Sequence, residues 1–224
     1  MKKLVTLILA LFLMGTATGL AQSQKEIRKE RKETTKLSKS ELNAKASKAA
    51  RKEAKTLKKE GWQNAPGALP IDKQLDKSYM MQYEYEDDLF PKYIMGEAMS
   101  IGQNYDAAKM QALELAKQNL AGQIQTEVTA LIENTVANEQ LSPEEAASVT
   151  KSIMASKNLI SQSIGRTLPV VELYRTLPNK NKEVLMRIAY NGKMAKAAAI
   201  KAIKSDLEKR GDELHKKLEN ALDL

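Results

Sequence analysis

The chain contains no cysteine in its 224 residues. Disulfides and thiolate metal sites are therefore excluded as sources of stability. So is the cysteine-linked lipid anchor of bacterial lipoproteins. Histidine occurs once and aromatic residues make up only 4% of the chain. The usual nucleophile–base pairs of covalent and acid–base catalysis thus lack their commonest members. His215 and Glu219 stand at i,i+4, but two ligands are too few for a structural zinc site. The acidic clusters at residues 84–88 and 206–213 lack the spacing of a calcium loop. Gly96 and Gly102 lack the Lys-Ser/Thr that completes a phosphate-binding loop, and no nucleophile elbow occurs. The expectation is a protein that is not an enzyme, with no cofactor and no metal.

Long apolar runs are also missing, with one exception. Met1-Lys2-Lys3 is followed by an apolar stretch from Leu4 to Met14, and Gly19-Leu20-Ala21 supplies small residues at a cleavage site. That order is the layout of a secretory signal peptide, too short in its apolar part to span a bilayer stably. Export with cleavage after Ala21 follows as an expectation, with the mature protein periplasmic or envelope-associated and not lipid-anchored through cysteine.

The net charge of +8 is unevenly distributed. Residues 25–60 hold 14 Lys/Arg against 6 Glu, whereas residues 61–224 hold 20 Lys/Arg against 22 Asp/Glu. A near-neutral body thus carries a basic N-terminal arm, an asymmetry that points to an anionic partner. The arm has no Gly or Pro and is rich in Lys, Glu, Ala and Arg, all good helix formers. Fully helical, its 36 residues would reach roughly 54 Å. Its bulky apolar residues (Ile27, Leu37, Leu42, Leu57) are too sparse for a continuous seam. Lys48/Lys52, Arg51/Lys55 and Lys55/Lys59 are like-charged at i,i+4, each costing about 0.2–0.5 kcal/mol. A frayed, solvated helix that orders on contact is expected, with Lys48, Arg51, Lys52, Lys55, Lys58 and Lys59 as candidate anion contacts. Nucleic acid is not the expected partner, because the arm lacks interleaved aromatics. An anionic envelope component or envelope protein fits the exported address, with peripheral membrane contact through charge. A solvated spacer is the competing reading.

The composition changes at Gly61. Trp62 and the turn-rich run Ala65-Pro66-Gly67-Ala68-Leu69-Pro70 read as a hinge, and Ile71, Leu75, Tyr79 and Tyr83 at i,i+4 predict a helix over 70–84. Trp62, Tyr79 and Tyr83 form a candidate partner surface. The expected divisions are signal peptide (1–21), basic helical arm (22–60), hinge and short helix (61–92), α+β domain (93–210) and charged helical tail (211–224). On this reading the folded unit begins after the hinge, and residues 22–60 are removable.

Tyr93–Gly102 reads as a strand whose glycines permit close approach. A helix over about 107–138, capped by Asn104 or Asp106, carries its small residues early, so that its first half can lie close to a sheet. Ser142-Pro143-Glu144-Glu145 combines an N-cap, a first-turn proline and a capping-box glutamate, predicting a helix from 143 to about 157. Residues 159–177 are rich in β-branched and aliphatic side chains, and the alternation from Val170 onwards marks a strand with Pro169 at an edge or bulge. Residues 178–182 form a turn, 183–190 return as the second arm of a hairpin, and a final helix follows Asn191-Gly192. The predicted fold is α+β: strand, helix, helix, strand, strand, helix, with a small antiparallel sheet, helices on one face and a long basic helical arm in front.

Gly96-Glu97-Ala98, the spaced alanines from Ala107 and Ala108 to Ala116, Leu120-Ala121-Gly122-Gln123-Ile124, Val170-Val171 with Tyr174, and Val184 to Ala189 together resemble the Lpp-twenty lipoprotein family. Its fold is in turn similar to the N-terminal domain of flagellar assembly protein T. The resemblance covers Tyr93 to about Arg210, and its motifs are apolar spacings. It implies a bacterial envelope protein with an α+β domain and carries no catalytic chemistry. The chain departs from the family in lacking the lipidated cysteine. Two functional classes are expected: an interaction or structural module of the envelope, or a binder of small molecules or peptides using a pocket between sheet and helices.

Overall fold

The computed structural model describes residues 44–86, 90–137 and 141–209, with isolated stretches between 28 and 40. The signal segment and the tail at 211–224, including His215, lie outside the described residues. Two compact units are present, Met1–Lys45 and Ala46–Leu224. In the first, the Thr35 hydroxyl donates to the Arg31 carbonyl at 2.7 Å. All that follows concerns the second.

Its elements are α1 (Lys48–Lys59), β1 (Gln63–Asn64), α2 (Ile71–Gln82), β2 (Tyr93–Gly102), α3 (Tyr105–Ala137), α4 (Pro143–Ala155), α5 (Lys157–Ser163), β3 (Leu168–Thr176), β4 (Lys182–Asn191) and α6 (Gly192–Lys209). The strands form one antiparallel sheet in the order β1-β3-β4-β2. The expected α+β class and element order from Tyr93 onward are those observed, with α5 inserted before the hairpin. The β2–β4 ladder runs unbroken from Tyr93↔Asn191 to Gly102↔Lys182. The β3–β4 ladder slips between Pro169 and Val171. Proline has no N–H to give a ladder, so the irregularity falls where the chemistry requires it.

Local signals fix the helix starts. The Asn104 carboxamide accepts from Ala107 N at 2.9 Å at the start of α3. Ser142 and Glu145 complete a capping box at α4, with Ser142 Oγ accepting from Glu145 N and Glu145 Oε2 from Ser142 N. The Asn191 side chain accepts from Met194 N at 3.0 Å, opening α6. Residues 157–163 form a further short helix not assigned from the sequence. They continue from α4 through Ser156, and the Ile160 they bury lies against the α3 side of the core.

One face of the sheet carries the larger core. Ala108, Ala112, Ala116, Leu120, Ile124 and Val128 of α3 pack with Ile94, Val184, Met186 and Ile188 of the strands and with Val149, Ile153, Ala199 and Ile203 behind them. The early alanines bring α3 close to β2, as expected. At Gly96 an added Cβ would lie 2.2 Å from the Ala116 carbonyl oxygen and 2.7 Å from Leu120 Cβ.

The opposite face is covered too. Ala46, Ala50 and Ala54 pack with Trp62, Ile71, Leu75, Val171, Leu173 and Ala189, with Leu57 and Leu185 partly buried beside them. The compact unit therefore begins at Ala46 and not after the hinge, and the last third of the basic arm is part of the core. The change at Gly61 is a helix stop. Gly61 has φ +87°, its N–H reaches the Lys58 carbonyl, and the Trp62 N–H reaches the Leu57 carbonyl at 3.0 Å. This is a Schellman closure, in which a left-handed glycine turns the chain back so that the next residue meets the helix it has left. It folds Trp62 under α1. At the other end, Ser47 Oγ accepts from Ala50 N while the Ser47 N–H donates to Asp76 Oδ1 of α2 at 2.9 Å.

Candidate functional site

The six candidate anion contacts all lie on α1 or its last turn, and all six are exposed. With Ala50 and Ala54 facing the core, a 100° step per residue sets Lys48, Arg51, Lys52, Lys55, Lys58 and Lys59 on one outward stripe. Lys58 and Lys59 also sit where the helix dipole is negative, a placement that favours cations. A shallow groove of about 450 Å³ lies along this stripe, lined by Arg51, Ala54, Lys55, Lys58, Lys59 and, from α2, Asp72. The helix is held on its inner side and offers charge on its outer side.

The proposed aromatic surface divides. Trp62 is only 4% exposed and belongs to the core, so it offers nothing to a partner. Its ring is covered by the Arg175 guanidinium at 4.6 Å, and Arg175 in turn donates to Glu183 Oε2 at 2.6 Å. Tyr79 is half-buried and its hydroxyl donates to Glu53 of α1. Tyr83 is 73% exposed at the end of α2, with Met80 and Tyr85 also exposed nearby.

Desolvation, and then the bond to the Glu53 carboxylate, push the Tyr79 phenol up to about 12 from its ordinary 10. The folded protein holds this proton more tightly than the unfolded chain does. The contribution is therefore intact below pH 10 and is lost as pH rises from 10 towards 12. Tyr105 moves in the same direction, through burial and its bond to Glu172. Urea denaturation is expected to show Tyr79→Phe less stable than the wild type at neutral pH. The gap should narrow as pH rises through that window. A constant gap at every pH would assign Tyr79 no titrating role.

Two further polar clusters escaped the sequence reading. Glu172 on β3 receives Tyr105 and, at 2.6 Å, Lys109 Nζ, while Tyr105 meets the Tyr174 ring edge-on at 5.5 Å. This fastens the start of α3 to the sheet. On β4, Arg187 binds Glu97 through Nε at 2.6 Å and donates from Nη1 to the buried Ser78 hydroxyl at 2.6 Å. Glu97 and Arg187 line a cleft of about 770 Å³ together with Gln82 and Tyr85, with Asn119 and Glu127 of α3, and with Lys157 of α5. The residues concerned are separated by as many as 109 positions, so no local signal could have joined them.

No family model matches the chain, and no curated protein and no solved structure matches it either. The resemblance over Tyr93–Arg210 gains no support from them.

Proposed function

We propose that this is an exported, non-enzymatic interaction module of the cell envelope, in which the outer stripe of α1 meets an anionic envelope component. One observation carries the reading: six exposed basic side chains share one stripe of a helix whose opposite stripe is buried in the second core through Ala50 and Ala54, beside Trp62, Ile71 and Leu75. A spacer would have no reason to be docked and sorted in this way. A fixed row of charge is preorganised for a surface or a linear polyanion. Bulky apolar residues are absent from the stripe, which favours contact by charge over insertion.

The cleft beside Glu97 is the feature that favours the alternative, a binder of small molecules or peptides. Four charged residues line it, Glu97, Glu127, Lys157 and Arg187, and of these Glu97 and Arg187 satisfy each other.

Replacing Lys48, Arg51, Lys52, Lys55, Lys58 and Lys59 together by Gln tests the proposal, since glutamine keeps the helix propensity close to that of lysine. Co-sedimentation with isolated envelopes should fall at least about tenfold, because each basic residue near an anionic surface contributes separately. Wild-type binding should weaken steeply with salt, as exposed charges are screened beyond roughly 8 Å at 0.15 M ionic strength. Unchanged binding, or binding indifferent to salt, would return α1 to a purely structural role.

A further inference from the structure

The two edges of the sheet are treated in opposite ways. At the β3 edge, β1 pairs with Leu173 and Tyr174, Ala65 N–H reaches the Glu172 carbonyl, and Gln74 accepts from Glu172 N at 2.7 Å. Gln74 is itself buried, with its other amide atom donating to the Leu69 carbonyl at 2.6 Å. Pro169 supplies no N–H, and the register slips beside it. These are the devices by which a sheet edge is closed to other chains.

The β2 edge has only one of them, a side chain bonded to its backbone. It is ten residues long, unbroken in register, free of Pro and Lys, and among the described residues no strand lies beyond it. Its one charge, Glu97, is neutralised by Arg187. At this edge Asn119 Nδ2 donates to the Glu97 carbonyl at 2.7 Å. That bond also fixes which groups face outward. If the Glu97 carbonyl points away from β4, antiparallel alternation turns the N–H and C=O of Met95, Met99 and Ile101 outward as well. Met99 is 55% and Ile101 50% exposed on this edge. Leu115, one turn before Asn119 on α3, is 37% exposed.

We infer that the β2 edge pairs with the β2 edge of a second copy of this chain, antiparallel about Met99. In this register Met99 faces Met99, and Glu97 faces Ile101 in both directions. Residues with outward backbone groups then face one another, so each pair exchanges two ladder bonds. A two-fold axis normal to the sheet keeps each face with its like. Met99 and Ile101 of the two copies then form one apolar strip. The edge is self-complementary, which an isologous interface requires, and no like charges are directly opposed. Centring the pairing on Glu97 would oppose the two carboxylates. No concentration of charge at the Met99–Ile101 end favours a foreign peptide. The Glu97 carbonyl has a second lone pair, so Asn119 can stay while Ile101 N–H of the other copy binds.

The absence of native cysteine makes the test clean. The chain, in the form the cell yields, should have the mass of two copies by light scattering, and Ile101→Lys should reduce it to one while the thermal melt of the monomer unit is kept. Met99→Cys should cross-link to itself under mild oxidation, since facing Cα atoms fall within roughly 4.4–6.8 Å. Met95→Cys should not, because in this register its copies are roughly 27 Å apart at 3.4 Å per residue. A mass of one copy up to millimolar concentration overturns the inference, whatever other polypeptide then binds the edge. So does a dimer that survives Ile101→Lys, or one in which both cysteine variants cross-link alike. Should Ile101→Lys fail to fold, the pair of cysteine variants decides alone.

Discussion

Gly96→Ala is expected to cost about 3 kcal/mol or more and to lower the melting temperature by about 10 °C. The added methyl would meet the Ala116 carbonyl oxygen at 2.2 Å and Leu120 N and Cβ at 2.7 Å. Two of those three atoms are backbone in the middle of a 33-residue helix. No rotamer can relieve such a contact, so α3 must lift from β2. Lifting it opens the larger core along Ala112, Ala116 and Leu120, which are fully buried. Gly122→Ala is the control on the same helix. Its Cβ would meet only the end of Lys157 at 3.7 Å, an ordinary contact. Exchanging glycine for alanine in a helix there should stabilise by about 0.5–1 kcal/mol. Urea denaturation of the two variants reads both signs. If Gly96→Ala were as stable as the wild type, the close approach of α3 would not be what this glycine serves.

Much of this packing was legible from local chemistry. The small residues early in α3 foretold its close approach, and Ser142-Pro143 with Glu145 foretold the start of α4, because caps and small-residue stripes act within one or two turns. The β3–β4 hairpin was legible for the same reason. The short helix over 157–163 was not foretold, because short aliphatic runs suit strand and helix alike, and the continuation from α4 decided the outcome. The basic stripe could also be read, since its spacing is a property of the helix alone. The open β2 edge could not be read in the same way. Strand order depends on which distant segments pair: β2 lies beside β4, some 90 residues on, while β1 takes the other edge. Trp62 was misplaced for a related reason. A lone tryptophan beside a turn looks like a surface anchor until the Schellman closure at Gly61 folds it under α1.

Truncation separates the two views of the arm most sharply. A chain beginning at Gly61 should melt about 10–20 °C below the wild type, whereas a chain beginning at Ala46 should melt within a few degrees of it. The sequence led to the opposite expectation for Gly61, because alanine contributes little to a count of bulky apolar residues. What matters is position. Ala46, Ala50 and Ala54 stand four apart, with Leu57 next on the same side, and together they join the core that holds Trp62, Ile71 and Leu75. Removing α1 opens the core around Trp62, Ile71 and Leu75 and cuts the Ser47–Asp76 and Tyr79–Glu53 bonds. A loss of about 5 kcal/mol is the expected scale, at 2–3 kcal/mol for each large side chain returned to water. For a domain of this size that converts to the stated drop. Ala50→Asp makes the same point without shortening the chain, since Ala50 has no exposed surface to accommodate a charge. It should destabilise by about 3 kcal/mol or more, while Ala49→Asp, one residue away on the solvent side, should be nearly neutral. Equal melting of the Gly61 and Ala46 truncations would show that α1 packs on the core without stabilising it, and the charge it carries would then be its only contribution.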